Sequence, residues 1–241
     1  MDCFDHLLWY ERPAQNFNEA LPLGNGRIGA MVYGGTAEER LTLNEDTLWS
    51  GHPRQSQKQC VRIWHKAQKF VHQKNFKQAQ SLLENEFGDY LVQAYLPLGT
   101  LKLYTGHENV IGYCRKLNLQ TACHTISYSH QGISFTRQYF VSAADQVLAI
   151  RLTADHPNCI SFMLSLDGAL SAEKSMDENG LCLFGRCPDR NPPKGTYTKD
   201  VSEYFYPLSP EEQGVGYFAA VRVIPEDGRL TVEKGQLSVR S

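Results

Sequence analysis

The sequence predicts a mostly β protein, an antiparallel two-sheet sandwich with an inserted helical hairpin. Most of the chain consists of short segments in which apolar and polar residues alternate, and turn residues separate these segments at close intervals. Only about residues 56–88 show the helical spacing of apolar residues. Hydrophobic residues make up 41% and charged residues 21% of the 241 residues, which is typical of a globular domain with a packed core.

The first 55 residues are rich in turn residues and contain two predicted strands, Ala30–Tyr33 and Leu41–Leu43. The preceding Gly24–Gly29 spells the fingerprint of dinucleotide-binding proteins, and Glu45 lies at a plausible distance for a ribose contact. In dinucleotide-binding proteins a helix begins within this motif, and the backbone N–H groups at the N-terminus of that helix bind the phosphate. Because Gly34-Gly35 would end a helix after one turn, we predict a tight β-turn instead.

Two helices are predicted between Ser56 and Phe87, with a break near Asn75 and a stop at Gly88. The apolar residues that form their stripes are Val61, Trp64 and Val71, followed by Phe76, Ala79, Leu82, Leu83 and Phe87. Nearby lysines and an arginine would suit a DNA-binding helix-turn-helix, but the recognition-helix signature is absent. We therefore expect a basic solvated face.

From Tyr90 onward the chain is predicted to be β. The predicted strands are Thr100–Tyr104, Thr125–Tyr128, Ile133–Arg137, Gln146–Thr153, Cys159–Leu166, Tyr217–Ile224 and Leu230–Glu233. Two hairpin turns are expected, at His130-Gln131-Gly132 and at Glu226-Asp227-Gly228. The proline-rich stretch Cys187–Pro210 is expected to form a long surface loop, and a ligand-facing role for it stays open.

Charge and composition exclude several classes of function. The chain has 24 basic and 26 acidic residues, whereas nucleic-acid binders usually carry a strong basic excess. No apolar stretch approaches the roughly 20 residues that cross a bilayer, and the N-terminus does not resemble a signal peptide. We therefore expect a cytoplasmic protein that binds neither nucleic acid nor membranes.

Neither a metal site nor a cofactor site is predicted. The seven cysteines are irregularly spaced, unlike a secreted disulfide framework. Cys182 and Cys187 lack a second matching pair of ligands for structural zinc, so we expect reduced thiols there.

No catalytic couple is identified from residue types and spacing. Glycoside hydrolysis requires two carboxylates that flank one bond, about 5–9.5 Å apart. Glu45 and Asp46 are adjacent, and neighbouring side chains on a strand point to opposite faces.

Several blocks of this chain resemble the opening of glycoside hydrolase family 95, the α-L-fucosidases. The two long and specific blocks are Glu19–Gly35 and Leu43–Gly51. Shorter blocks in the expected order are Leu8–Tyr10, Pro13-Ala14, Tyr95–Leu101, Tyr113–Leu119, Arg137–Ser142, Gln146-Val147 and Gly214–Val223. The chain departs from the family pattern at Phe17, Leu96 and Thr100, where the family usually has Trp, Gln and Asp.

The resemblance implies that residues 1–241 are the N-terminal β-sandwich domain of such an enzyme, an antiparallel two-sheet super-sandwich. In the family this domain is followed by an (α/α)₆ barrel, which holds the catalytic groups and cleaves terminal α-L-fucosyl linkages with inversion. The expected partners are therefore the barrel of the same polypeptide and a fucosylated glycan. No catalytic residue is carried over, and the C-terminal end of the domain and the barrel are expected to be missing from this chain.

Five residues are the candidates for contact with sugar, because polar donors and an aromatic plane suit the hydroxyls and the apolar face of a hexose: Asn25, Arg27, Asn44, Glu45 and Trp49. Each also has a structural alternative. The two asparagines would lie in turns, Trp49 in the core, and Arg27 and Glu45 in ion pairs.

Three functions remain open at this point. The first is the non-catalytic domain of an α-L-fucosidase, which braces the barrel and shapes the sugar pocket. The second is a stand-alone carbohydrate-binding module, which would present a row of solvent-facing aromatic residues. The third is an architectural fragment without a ligand.

Overall fold

The computed structural model describes residues 6–52, 57–87, 93–177, 180–189, 204, 206–209, 213–226, 228–233 and 236–240. The strands are β1 (Leu7–Tyr10), β2 (Leu21–Gly24), β3 (Ile28–Val32), β4 (Glu38–Glu45), β5 (Gly99–Tyr104), β6 (Ile111–Asn118), β7 (Cys123–His130), β8 (Ile133–Ser142), β9 (Val147–Ala154), β10 (Phe162–Gly168), β11 (Ala172–Asp177), β12 (Gly180–Arg186), β13 (Gly216–Arg222), β14 (Arg229–Glu233) and β15 (Gln236–Arg240). The helices are α1 (Gln57–His72) and α2 (Phe76–Phe87), with a short 3₁₀ helix at Phe17–Glu19.

The described strands form three antiparallel sheets. A five-stranded sheet has the order β1-β6-β7-β8-β9, and a seven-stranded sheet has the order β14-β15-β10-β5-β4-β3-β2. A three-stranded sheet, β11-β12-β13, packs through β12 on β10 and β15. The predicted fold class is confirmed, and the structure adds the three-stranded sheet to the two large ones.

The core lies between the five-stranded and seven-stranded sheets, because alternate residues of each strand point inward. Leu41 and Leu43 on β4 are buried together with Ile126 on β7 and Tyr139 on β8. The sheets are in contact through β2, which meets β7 and β8, and through β3, which meets β9.

A buried polar bridge joins the two large sheets. The carboxylate of Glu39 on β4 accepts a hydrogen bond from Tyr139 Oη on β8 (2.9 Å) and lies 3.9 Å from Arg137 Nη1. It also accepts the backbone N–H groups of Gly34 (2.8 Å) and Arg40 (3.0 Å). Arg137 in turn donates to the carbonyl oxygen of Gly35 (2.7 Å) and to other groups nearby, so these buried polar groups are paired rather than orphaned.

The helical hairpin matches the prediction, with a break between the helices at residues 73–75; Gly88 lies outside the described residues. The two helices pack chiefly on each other, through the buried Ala67 and Ala79. The predicted apolar stripe is largely exposed at Val61, Trp64, Val71 and Phe76.

The predicted hairpin around Glu226-Asp227-Gly228 is wrong, because its two strands lie in different sheets. β13 pairs with β12 over seven residues, and β14 pairs with β15 at the edge of the seven-stranded sheet. Alternation of residues predicts a strand but does not indicate which sheet edge it joins.

Two other predictions change in detail or remain open. β10 begins at Phe162 rather than at Cys159, because its pairing with β15 begins at Phe162 and its pairing with β5 begins at Met163. Most of the predicted loop Cys187–Pro210 lies outside the described residues.

Candidate functional site

A tight turn between β2 and β3 explains the glycine-rich motif. Asn25 Oδ1 accepts the backbone N–H groups of Arg27 (3.0 Å) and Ile28 (2.8 Å), which closes the turn. Gly26 has φ +92°, a conformation that side chains disfavour. The hairpin places Gly24 directly opposite Gly29, as the predicted β-turn requires.

The other end of the Asn25 amide holds this hairpin against the opposite sheet. Nδ2 donates to the carbonyl oxygen of Ser142 (2.9 Å) and to Gln146 Oε1 (3.1 Å), in the connection between β8 and β9. The amide therefore uses both lone pairs and both protons. Asn25 is better suited to holding the turn than to binding a ligand.

Arg27 and Glu45 form an ion pair at the end of this hairpin. Arg27 Nε lies 2.9 Å from Glu45 Oε1, and the two side chains are 59% and 18% exposed. Burial raises the pKa of Glu45, but hydrogen bonds from Thr47 and Arg27 outweigh it and leave the pKa lowered. The same hydrogen bond raises the pKa of Arg27.

Asn44 does not lie in a turn, contrary to the structural alternative considered for it. It is half-buried on β4 opposite Gly29, and its Oδ1 accepts the backbone N–H of Glu45 (3.1 Å). Sheet pairing fixes this position, which local sequence does not reveal.

Trp49 is not in the core; its ring is exposed beside Tyr95. The side chains are 43% and 45% exposed, and the ring centroids are 5.3 Å apart at an interplanar angle of 42°. A β-bridge pairs the two residues, and Trp49 Nε1 donates to the carbonyl oxygen of Asp46 (2.9 Å). The aromatic pair is therefore held in a fixed orientation at the surface.

Together these residues form a surface that we call the Trp49 patch: Arg27, Glu45, Asp46, Trp49 and Tyr95. Burial raises the pKa of Tyr95, and the negative charges of Asp46 and Glu45 raise it further. The backbone N–H of Asp46 donates to the carbonyl oxygen of Arg27 (3.0 Å), which joins the ion pair to the aromatic pair. The patch therefore presents two aromatic rings and side chains of both charges, which are groups suited to contact with a hexose.

The structure brings three sequence candidates, Arg27, Glu45 and Trp49, into this patch, whereas Asn25 holds a turn and Asn44 lies on β4. Sequence reasoning missed Tyr95. A signal was present in the sequence, since Tyr95 is the first residue of one of the blocks that resemble the family. Its contact with Trp49 was not predictable, because it forms only where the chain returns to the sheet after the helical hairpin.

A second polar pair borders the patch. His52 Nδ1 lies 2.6 Å from Asp189 Oδ1, and the backbone N–H of Gly51 donates to the carbonyl oxygen of Pro188 (2.7 Å). These contacts tie the segment after Trp49 to the end of β12. Cys187 is buried in this region, and burial raises the pKa of its thiol to about 11, which makes it a poor nucleophile.

Within the described residues, no cluster of three or more His, Cys, Asp or Glu side chains has the arrangement of a metal site. Among the described helices, none has the length and apolar character needed to span a bilayer.

Residues 8–241 match the family described as glycosyl hydrolase family 65, N-terminal domain. The chain is 31% identical to α-L-fucosidase 2 of Arabidopsis thaliana, over 96% of this chain and 29% of the relative. It is 29% identical to the probable α-fucosidase A of Aspergillus niger, over 74% of this chain and 24% of the relative. The corresponding protein of Aspergillus oryzae is 28% identical over 61% of this chain. The chain thus spans less than a third of the length of these relatives.

Proposed function

Because the chain belongs to the family of glycosyl hydrolase N-terminal domains, of the type carried by family 95 α-L-fucosidases, we propose that it is the non-catalytic N-terminal domain of such an enzyme. The parent protein would hydrolyse terminal α-L-fucosyl linkages with inversion, and this domain would brace the catalytic barrel. Two observations together carry the proposal: residues 8–241 match an N-terminal domain, and the Arabidopsis relative is more than three times as long as this chain.

The environments of two carboxylates support a non-catalytic role. A general acid needs a raised pKa and access to the substrate. Glu45 has a lowered pKa and is held by Arg27 and Thr47, so it is a poor proton donor. Glu39 is fully buried and hydrogen-bonded, so a sugar cannot reach its carboxylate.

The Trp49 patch is where the domain would reach the sugar. The exposed ring of Trp49 and its neighbour Tyr95 offer stacking faces, while Arg27 offers donors beyond the one bound to Glu45. In this proposal the patch forms part of the rim of the sugar pocket and contacts a fucosylated glycan.

The exposed aromatic pair also favours a second candidate, a stand-alone carbohydrate-binding module. Such a module would bind sugar without any contribution from a barrel. The two candidates differ in one respect: only the first makes the domain necessary for hydrolysis.

A domain exchange in the Arabidopsis relative tests the first candidate. The region that this chain matches is replaced by residues 8–241, and hydrolysis of 4-nitrophenyl α-L-fucoside is measured for the chimera and for the 241-residue chain alone. We expect turnover by the chimera and none by the chain. The Trp49→Ala chimera should raise KM more than it lowers kcat, while Phe140→Ala, at an exposed site on β8, serves as the matched control.

Turnover by the chain alone would contradict the non-catalytic assignment, and Glu45 and Asp46 would be the first residues to mutate. A correctly folded chimera without activity would count against an equivalent bracing role. Sugar binding by the chain alone, together with an inactive chimera, would favour the binding-module candidate.

A further inference from the structure

The outer face of the three-stranded sheet carries a row of aromatic residues. Phe184 on β12 lies directly opposite Phe218 on β13, and Glu173 on β11 lies directly opposite Phe184. The two phenylalanine side chains are 38% and 66% exposed. The alternation of the strands puts all three side chains on one face. This row is separate from the Trp49 patch.

The row opens into a groove of about 740 Å³ at the end of the sheet where β12 finishes and β13 begins. Tyr206 and Gln213 line the groove beside the phenylalanines. Gly216 leaves it open, since a Cβ there would meet no atom closer than 3.9 Å and the residue lacks a left-handed φ. The volume is within the usual range of small-molecule sites, about 300–1,000 Å³.

Polar groups of both signs lie at the groove. Arg186, opposite Gly216, is exposed and donates through Nη1 to the carbonyl oxygen of Gly214 (3.2 Å), a bond that occupies one of its five guanidinium protons. The carboxylate of Glu173 is exposed at the other side. Tyr206 Oη accepts the backbone N–H of Ser171 (3.1 Å) and, among the described residues, has no acceptor for its own proton.

We propose that this groove binds a neutral oligosaccharide, as a second sugar-binding site on the domain. Planar aromatic faces suit the apolar faces of sugar rings, and a donor fork paired with an acceptor suits their hydroxyls. The opposite charges of Arg186 and Glu173 balance each other, which favours an uncharged ligand. A protein partner would need about 800 Å² on each side for a stable interface, and two phenylalanine rings offer far less.

The ligand class rests on the proposed function, but the site does not, since neither the Trp49 patch nor hydrolysis enters the argument. Binding of 2′-fucosyllactose, a neutral trisaccharide, to the 241-residue chain is measured by isothermal titration calorimetry and by saturation-transfer NMR. Gly216→Val is the main variant, because its side chain narrows the end of the groove beside Arg186 while a β-branched residue suits the strand. Phe218→Ala removes the more exposed ring.

The wild-type chain should bind, and both variants should weaken binding by about tenfold or more, which corresponds to loss of one stacking face. Phe140→Ala, which removes an exposed ring on β8, should bind like the wild type. Circular dichroism and the melting temperature establish that each variant is folded.

Absence of binding by the wild type, or unchanged affinity of the folded Gly216→Val variant, would overturn the inference. So would loss of binding in Trp49→Ala but not in Phe218→Ala, which would place the trisaccharide at the Trp49 patch. The chimera assay reports turnover and this one reports affinity, so failure of one proposal is distinguishable from failure of the other.

Discussion

Replacement of Glu39 by glutamine should test the polar bridge between the two large sheets. Burial raises the pKa of Glu39 above its ordinary value, although the charge of Arg137 and hydrogen bonds from Gly34, Tyr139 and Arg40 act in the opposite direction. All three hydrogen-bonded partners of the carboxylate are donors, and a protonated acid would bring another donor among them. We therefore expect an ionised Glu39 at neutral pH.

Glutamine keeps the shape of the side chain but has a single oxygen. Its amide nitrogen must face either the two backbone N–H groups or Tyr139 and Arg137, so at least one buried donor loses its acceptor. Each such donor costs about 1–3 kcal/mol. Loss of one partner of a buried ion pair costs about 3–5 kcal/mol, and because the two effects overlap we expect Glu39→Gln to lower the free energy of unfolding by about 3–5 kcal/mol.

Urea denaturation at pH 7 measures this change, with the m-value expected to stay constant. Glu38→Gln is the matched control, since Glu38 is the exposed neighbour on the same strand and should stay within about 0.5 kcal/mol of the wild type. A loss below about 1 kcal/mol for Glu39→Gln would refute the reasoning, because it would mean that the folded protein holds Glu39 protonated.

Four further substitutions test other parts of the fold. His124 is fully buried with both ring nitrogens unpaired, and burial lowers its pKa to about 4, below the ordinary value of 6.5. The unfolded chain takes up this proton first, so stability should fall as pH drops from about 6.5 to about 4. Urea titrations at pH 7 and pH 4.5 measure how far the free energy of unfolding falls between the two pH values. In His124→Leu this fall should be smaller than in the wild type by up to about 3 kcal/mol, and an equal fall in both proteins would contradict the prediction. Gly34→Ala should cost at least about 2 kcal/mol, because φ is +82° and the new Cβ would lie 2.5 Å from Tyr113 Oη. Gly26→Ala, with φ +92° and open space, should cost about 1 kcal/mol, and similar losses for the two would argue against the clash. Asn25→Ala should lower the unfolding free energy by about 1–3 kcal/mol through its lost turn and cross-sheet hydrogen bonds, and an unchanged thermal midpoint would argue against that role.

Local pattern predicted the strands and the helices well, since alternation and helical spacing depend only on neighbours in sequence. It did not predict partners. β13 reads as a strand from its residues, yet its pairing with β12 depends on an edge formed more than 30 residues earlier. The start of β10 was misplaced because it depends on where β5 and β15 pair with this strand, which the apolar pattern does not show.

The candidate site was predicted only in part, because its local contacts follow from the sequence whereas its long-range contacts do not. Asn25 in a turn and Arg27 in an ion pair with Glu45 follow from residue chemistry and hairpin spacing. The exposure of Trp49 does not, since tryptophan is a highly buried residue on average. Its neighbour Tyr95 is brought close by a β-bridge that spans the whole helical hairpin.

The helical hairpin leaves and rejoins the sheet at nearly the same point. Ser50 and Ala94 exchange two hydrogen bonds, one from the Ser50 backbone N–H to the Ala94 carbonyl oxygen (2.9 Å) and one from the Ala94 backbone N–H to Ser50 Oγ (3.0 Å). These two hydrogen bonds close the loop whatever the length or conformation of the segment between Ser50 and Ala94. Because loop closure costs little more for a longer segment, insertions and deletions between residues 53 and 92 would leave β4 and β5 paired. The domain therefore carries at this point a site where evolution can change length, and where an engineer can graft a foreign segment, while the sandwich keeps its register.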